Sequence, residues 1–316
     1  MSAASVFPRD GSALDLFDKR CSSPIFRLQL PLILEAPISI PGCFFGMPAF
    51  HVAAPGLLTL LALQDKAVQW PSDALPTVGA LTILIVVWFY VNLRPERLRR
   101  ARMLYSPPSL IISPIIGLLL AHKLAREDAD AIAVPCFYLC AWYASIIPVL
   151  GLKKLANRRR PVASDHLHLG NESAAYAATG KGFVNITAML RNNDPNASFP
   201  SGDVAGAVAF AYPLLSSNAS TTLHLVVGVA CIALSSFGRM YFLAHHLLDV
   251  VCGGLCSAVT CLLCELAMGG ISNTQLWHPA AAFTVLVVFA KTTKSDQSAP
   301  GQRSLAAVTA GREKNL

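Results

Sequence analysis

Three short stretches of this sequence carry side chains suited to holding and attacking a phosphoryl group. The most telling is Gly238-Arg239-x5-His245-His246-x2-Asp249, at the start of the apolar run Tyr241–Met268. Ionisable residues at membrane depth are costly, and where they occur they mark functional sites. His245 and Asp249 are four residues apart, so a helix places them on one face. The carboxylate could then accept a hydrogen bond from one ring nitrogen and leave the other free as a nucleophile.

The other two stretches are weaker alone. Lys153-Lys154-Leu155-Ala156-Asn157-Arg158-Arg159-Arg160-Pro161 follows an apolar segment. It reads either as a solvated anchor at the headgroup boundary or as a phosphate clamp, in which arginine offers a planar fork of donors and lysine a point charge. Ser198-Phe199-Pro200-Ser201-Gly202-Asp203 precedes the apolar Val204–Leu215. Its plain reading is a helix start with Ser201 as N-cap. Its functional reading is an anion site of free backbone N–H groups, which Gly202 lets a phosphate approach closely. These two readings are compatible.

The elements that must position these residues are membrane segments. The 316-residue chain is 54% hydrophobic and only 14% charged, against roughly 25% charged residues in soluble domains. Lipid is therefore part of its solvent. Leu75–Leu93, Ala131–Leu152 and Leu247–Met268 are the clearest spans, with Leu110–Ala121, Val204–Leu215 and Leu223–Phe237 as shorter candidates. The expected fold is all-α: a multi-spanning membrane helix bundle with a six-helix core and one or two peripheral helices. The division expected is an N-terminal region 1–74 with a possible extra membrane helix, a six-helix domain 75–268, a further possible membrane helix in 269–291, and a disordered tail 292–316. Phe44–Leu63 and Trp277–Phe289 are the ambiguous runs, and Ile25–Pro41, with its repeated prolines, reads as an interfacial or irregular lead-in. No cleavable signal peptide is expected in the first 24 residues, which lack an apolar core.

Several alternatives recede on composition. The net charge of +7 sits at the ends of apolar runs without aromatic interleaving, which excludes a nucleic-acid groove. Seven of the nine cysteines fall in apolar stretches, where cysteine packs as a small hydrophobe; Cys261-x2-Cys264 has no second pair or histidine at zinc spacing, and Cys21 and Cys43 could form an exposed bridge. No metal and no cofactor is expected.

Helix parity brings the clusters together. The first follows Ala131–Leu152, the second opens Val204–Leu215 after a polar connection of about 50 residues, and two helices later the third emerges on the same face.

Together the clusters resemble the tripartite signature of the type 2 phosphatidic acid phosphatase and vanadium haloperoxidase superfamily: K-x6-R-P, P-S-G-H and S-R-x5-H-x3-D. Lys153, Arg160 and Pro161 match the first element; Pro200, Ser201 and Gly202 match three positions of the second; Arg239, His245 and Asp249 match the third, with Gly238 in place of the serine. The resemblance covers roughly Leu75–Met268. It implies that Lys153, Arg160, Ser201, Gly202 and Arg239 bind the phosphate, that His245 attacks phosphorus to form a phospho-histidine, and that Asp249 orients the ring. It also implies Mg²⁺-independent hydrolysis of a lipid phosphate: phosphatidic acid, a related lipid phosphate or an isoprenyl diphosphate. A cationic cage can stabilise the charge that a metal would otherwise neutralise.

One position departs from the pattern. Where the family has the histidine thought to protonate the leaving alkoxide, this chain has Asp203. Asp203 as a raised-pKa acid, substitution by His246, His166 or His168, and lipid-phosphate binding with little turnover are the three readings. The last corresponds to a non-catalytic membrane protein that binds or moves phospholipids. A haloperoxidase and a solute transporter explain the membrane helices and the three clusters less well. The sequence is silent on oligomeric state. Sequons at Asn171, Asn185 and Asn196 place the site on a lumenal or extracellular face of an endoplasmic-reticulum, other endomembrane or plasma-membrane protein, while the basic Arg94–Arg102 stretch argues for the cytosolic side.

Overall fold

The computed structural model describes residues 11–64, 107–126, 128–162, 181, 197–216 and 221–271, with positions 76, 79, 80 and 83. Among these residues the chain is entirely helical: α1 (Ala13–Arg27), α2 (Leu32–Phe44), a 3-10 turn (Pro48–Val52), α3 (Ala54–Gln64), α4 (Pro107–Ala125), α5 (Ala129–Ala156), α6 (Gly202–Ser216), α7 (Thr222–Tyr241) and α8 (Leu247–Met268). Of the span expected at Leu75–Leu93 only positions 76, 79, 80 and 83 are described, while the run Trp277–Phe289, the tail, the Arg94–Arg102 stretch, Asn171, Asn185 and Asn196 of the sequons, and His166 and His168 lie outside the described residues.

Local chemistry explains the helix ends. Asp128 caps α5, its carboxylate accepting from the amides of Asp130 and Ala131, both at 3.1 Å. The 28-residue helix stops at Asn157, a left-handed residue (φ 44°) whose amide bonds back to the Lys153 carbonyl. That stop turns the following Arg158 and Arg160 back into the protein. Helix α8 ends at Gly269, also left-handed (φ 71°).

Helices α5, α7 and α8 are long and apolar enough to cross a membrane, and the apolar stretches Phe50–Gln64, Ser109–Ala125 and Gly202–Ser216 are shorter. Large hydrophobic side chains cover the outside: Leu225, Val226 and Val229 on α7, and Leu255, Val259, Leu262, Leu263 and Leu266 on α8. An apolar exterior of this extent requires lipid as its solvent. The chain is a helical membrane bundle.

Helix α6 is the axis of that bundle, with Val204–Ala211 buried against α5, α7 and α8. In lipid, burying leucine gains little, so close backbone approach carries the association. A Cβ on Gly238 of α7 would lie 2.7 Å from the Ile38 carbonyl oxygen and 3.0 Å from the Gly42 Cα of α2. The two helices therefore touch backbone to backbone, and glycine is required at the crossing. Gly253 of α8 similarly admits the Ser201 backbone, whose oxygen would lie 2.3 Å from an added Cβ.

The N-terminal segment differs from its sequence reading. Ile25–Pro41 is not an irregular lead-in: it contains the end of α1 and most of α2. Prolines inside apolar helices survive because neighbouring groups satisfy the freed carbonyls. Phe44–Leu63 resolves into the 3-10 turn and α3, and α2 and α3 pack on α7 and α5, so this segment is built into the bundle. Helix α1 is inverted for a soluble fold: Asp15, Asp18 and Ser22 are buried, while Leu14, Leu16 and Phe17 are exposed. Seven cysteines of the apolar stretches are free thiols, as is Cys21; the Cys43 side chain lies outside the described residues.

Candidate active site

Four helix ends converge at one end of the bundle. Lys153 sits in the last turn of α5, Ser201 caps α6, Arg239 sits in the last turn of α7, and His245 and His246 immediately precede α8. The parity read from the sequence is what brings them together. Lys153 is close enough to Arg160, Arg239, Asp203 and Asp249 to interact electrostatically with all four, and its ammonium donates to the Ala197 carbonyl at 2.6 Å.

His245 is almost fully buried and lies at the centre. Its Nδ1 is 2.6 Å from the Ser198 carbonyl oxygen. A carbonyl can only accept, so Nδ1 carries the proton and Nε2 keeps its lone pair. That lone pair faces two guanidiniums: Arg239 Nη2 at 3.3 Å and Arg160 Nη1 at 3.4 Å. Burial, aided by the charges of Arg239, Arg160 and Lys153 and opposed by Asp249, holds the imidazole well below its usual range. The ring is therefore neutral at physiological pH.

Each arginine is also anchored to backbone. Arg160 Nη1 donates to the Ala244 carbonyl at 2.9 Å and Arg239 Nη1 to the Gly42 carbonyl at 3.1 Å. The second anchor lies in the last turn of α2, where carbonyls lack intrahelical partners. It exists because Gly238 lets α7 approach α2. In the cationic run after α5, Arg158 and Arg160 are buried while Lys154 and Arg159 are exposed. The run is thus divided between two buried arginines and two exposed cations.

Asp249 does not orient His245 in the expected way. Its Oδ2 is 3.7 Å from His245 Nδ1, beyond hydrogen-bonding range. Instead Oδ2 accepts from the Ser198 hydroxyl at 2.5 Å and from the His246 amide at 2.8 Å, and Oδ1 accepts from Arg158 Nη1 at 2.7 Å. The Asp249 carbonyl also receives the Ser201 amide at 2.8 Å. Asp249 thus fixes the Ser198–Ser201 turn, and the Ser198 carbonyl fixes the imidazole. The sequence motifs assign Ser198 no role; its signal is an unassigned hydroxyl next to the P-S-G turn.

Ser201 is fully buried, and its hydroxyl lies 3.5 Å from the Val204 amide, a long N-cap contact. The Gly202 and Asp203 amides follow in the first turn of α6, whose N–H groups have no intrahelical acceptor. Asp203 Oδ2 pairs with Arg239 Nη2 at 3.1 Å and is only partly exposed. The residue that departs from the family pattern therefore sits against Arg239, to which the resemblance assigns the phosphate.

Residues 134–270 match the PAP2 superfamily. That match covers less than half of the chain and makes these residues similar to that superfamily. No curated protein and no solved structure matches the chain. The matched range contains all three clusters, most of α5 and all of α6 to α8, and the family is one of phosphatases acting on phosphate esters. The Gly238 departure has a steric cause in this chain, since any side chain there meets the backbone of α2.

One buried group has the spacing of metal ligands: Asp18, His246 and Asp249 each place a ligand atom within 4.8 Å of the others. The Arg158 guanidinium bonds both carboxylates at 2.7 Å, so the protein itself supplies positive charge between them.

Proposed function

We propose that this chain hydrolyses a lipid phosphate through a phospho-histidine formed on His245. The observation that supports this most is the imidazole itself: neutral, with Nδ1–H held by the Ser198 carbonyl and the Nε2 lone pair directed between Arg160 and Arg239. A phosphoryl group bound to those guanidiniums lies in front of the nucleophile. Lys153, the Ser201 hydroxyl and the Gly202 amide complete the cage.

In the first step His245 Nε2 bonds to phosphorus, the ester P–O bond breaks, and the leaving alkoxide takes a proton from Asp203. In the second, water attacks phosphorus, its proton passes to Asp203, the N–P bond breaks and inorganic phosphate leaves. Asp203 reaches both steps because the incoming phosphate takes its place on Arg239 Nη2. The family's histidine is thereby replaced by a carboxyl group acting as acid in the first step and base in the second.

The membrane setting favours a substrate with acyl or isoprenyl chains, such as phosphatidic acid, another lipid phosphate or an isoprenyl diphosphate. The sequons favour a lumenal or extracellular site. Phosphate release from detergent-dispersed phosphatidic acid, sphingoid phosphates and isoprenyl diphosphates, in the presence of EDTA, tests the reading. Activity in wild type and loss in His245→Ala supports it; equal rates in the two sink it. Lipid-phosphate binding without release from any of the panel would support the non-catalytic alternative, which the Asp203–Arg239 pair favours.

A further inference from the structure

The first helix reaches the reaction centre from outside the matched family region. Two amides at the start of α8 are satisfied by α1 side chains. The Leu247 amide donates to Ser22 Oγ and the Leu248 amide to Asp18 Oδ1, both at 2.9 Å. The preceding His246 amide is taken by Asp249. Helix starts leave such N–H groups without partners, and a residue of the helix's own lead-in normally supplies the acceptor. Here a helix more than 200 residues earlier does so.

The same helix holds Arg158. Its Nη2 bonds Asp15 Oδ1 and its Nη1 bonds Asp18 Oδ2 and Asp249 Oδ1, all at 2.7 Å and all fully buried. Burial works against the guanidinium charge, but Asp249, Asp15 and Asp18 outweigh it and raise the arginine above its ordinary range. The Arg158 carbonyl accepts the Ser198 amide at 3.0 Å. Arg158 therefore grips both groups that set the imidazole: the Asp249 carboxylate through its guanidinium and the Ser198 amide through its carbonyl.

We propose that Asp15, Asp18, Ser22 and Arg158 are positioning residues for His245, with α1 serving as a cap, supplied by a distant segment of the same chain, on the helix start that follows His245. The effect runs from α1 through Arg158 and Asp249 to Ser198, whose carbonyl holds Nδ1. This rests on the phosphatase reading for its kinetic consequence but not for its geometric one.

The test uses the full chain in detergent, with turnover expressed per folded molecule from size-exclusion and thermal profiles. Asp18→Ala and Ser22→Ala lower kcat by about 10- to 100-fold with KM within threefold, because ångström-scale misplacement of a reacting group costs up to about 10²-fold. Ser22→Thr and Asp18→Asn, which keep an oxygen acceptor, recover part of the loss. Orthovanadate, which adopts the geometry of a transferring phosphoryl group, binds about tenfold more weakly to both alanine variants, while inorganic phosphate binding stays within threefold. Unchanged vanadate affinity in a folded Ser22→Ala protein overturns the proposal, even if Asp18→Ala fails to fold. A vanadate shift with no turnover in wild type leaves the proposal standing and refutes the phosphatase reading.

Discussion

Installing the family's own serine at position 238 damages this protein. Helix propensity alone favours serine over glycine by about 0.5 kcal/mol. Against that, the new Cβ lies 2.7 Å from the Ile38 carbonyl oxygen and 3.0 Å from the Gly42 Cα. Both neighbours are backbone, so no rotamer change relieves the contact. Restoring an ordinary separation of 3.4 Å moves α2 from α7 by about 0.7 Å, and overpacking of this kind costs about 1–3 kcal/mol. The clash therefore outweighs the propensity gain. The same displacement loosens the 3.1 Å bond between Arg239 Nη1 and the Gly42 carbonyl, so kcat falls by about 10- to 100-fold. Gly254→Ala is the control: its Cβ meets Val204 and Val208 methyls at an ordinary 3.7 Å, so stability holds or rises by up to about 1 kcal/mol. Thermal unfolding in detergent and phosphate release per folded molecule read both effects. A Gly238→Ser protein as stable and active as wild type, or a Gly254→Ala protein equally damaged, refutes the steric reasoning.

The other expectations are briefer. Because burial holds His245 well below the ordinary imidazole range, the acid limb of kcat/KM that belongs to it lies below pH 6.5. Its folded-state proton affinity is reduced, so His245 lowers stability as pH falls through 6.5 toward its folded pKa; this is read from unfolding midpoints of wild type against His245→Gln. Lys181 is buried beside α1 and α7, donating to the Phe26 and Tyr241 carbonyls at 2.7 and 2.6 Å, and burial, opposed by Glu35, lowers its pKa to about 7. The unfolded chain binds that proton up to about pH 10, so the Lys181 contribution makes stability rise with pH from 7 to 10, and Lys181→Met flattens the rise in a pH series of unfolding midpoints. Asp203→Ala lowers kcat by about 10²- to 10⁴-fold while inorganic phosphate, freed of a competitor on Arg239, binds at least as tightly by calorimetry. Asp203→His does not raise activity in the phosphate-release assay, because the carboxylate already lies against Gly46, where an added Cβ would be 2.6 Å from Oδ1.

Much of the site was legible because its chemistry is written in contiguous motifs at helix ends. Lys153, Arg160, Ser201, Gly202, Arg239, His245 and Asp249 are short-range patterns, and helix parity then dictates that they meet. Leu247–Met268 emerges with the boundaries read from the sequence, since hydropathy and a following glycine mark both ends. What was not legible depends on contacts between distant segments. Nothing within Lys153–Pro161 distinguishes Arg158, which faces Asp15 and Asp18, from Arg159, which is exposed. The stripe Asp15, Asp18, Ser22 has helical spacing opposite Leu14 and Phe17, but a polar stripe reads as a solvated face unless the solvent is known to be lipid. The hydrogen bond expected between His245 and Asp249 follows from an i, i+4 pair within one helix. Helix α8 begins only at Leu247, so His245 stands outside it and turns to Ser198 instead.

The central claim is that His245 carries the phosphoryl group. Quenching in alkaline detergent during turnover of a substrate labelled with ³²P in its phosphate, followed by peptide mapping under alkaline conditions, tests it most directly. The expected result is acid-labile, alkali-stable label on the peptide containing His245, absent from His245→Ala and accumulating in Asp203→Ala only as fast as the slowed first step allows. Turnover that continues in His245→Ala, or label on any other residue, would contradict it.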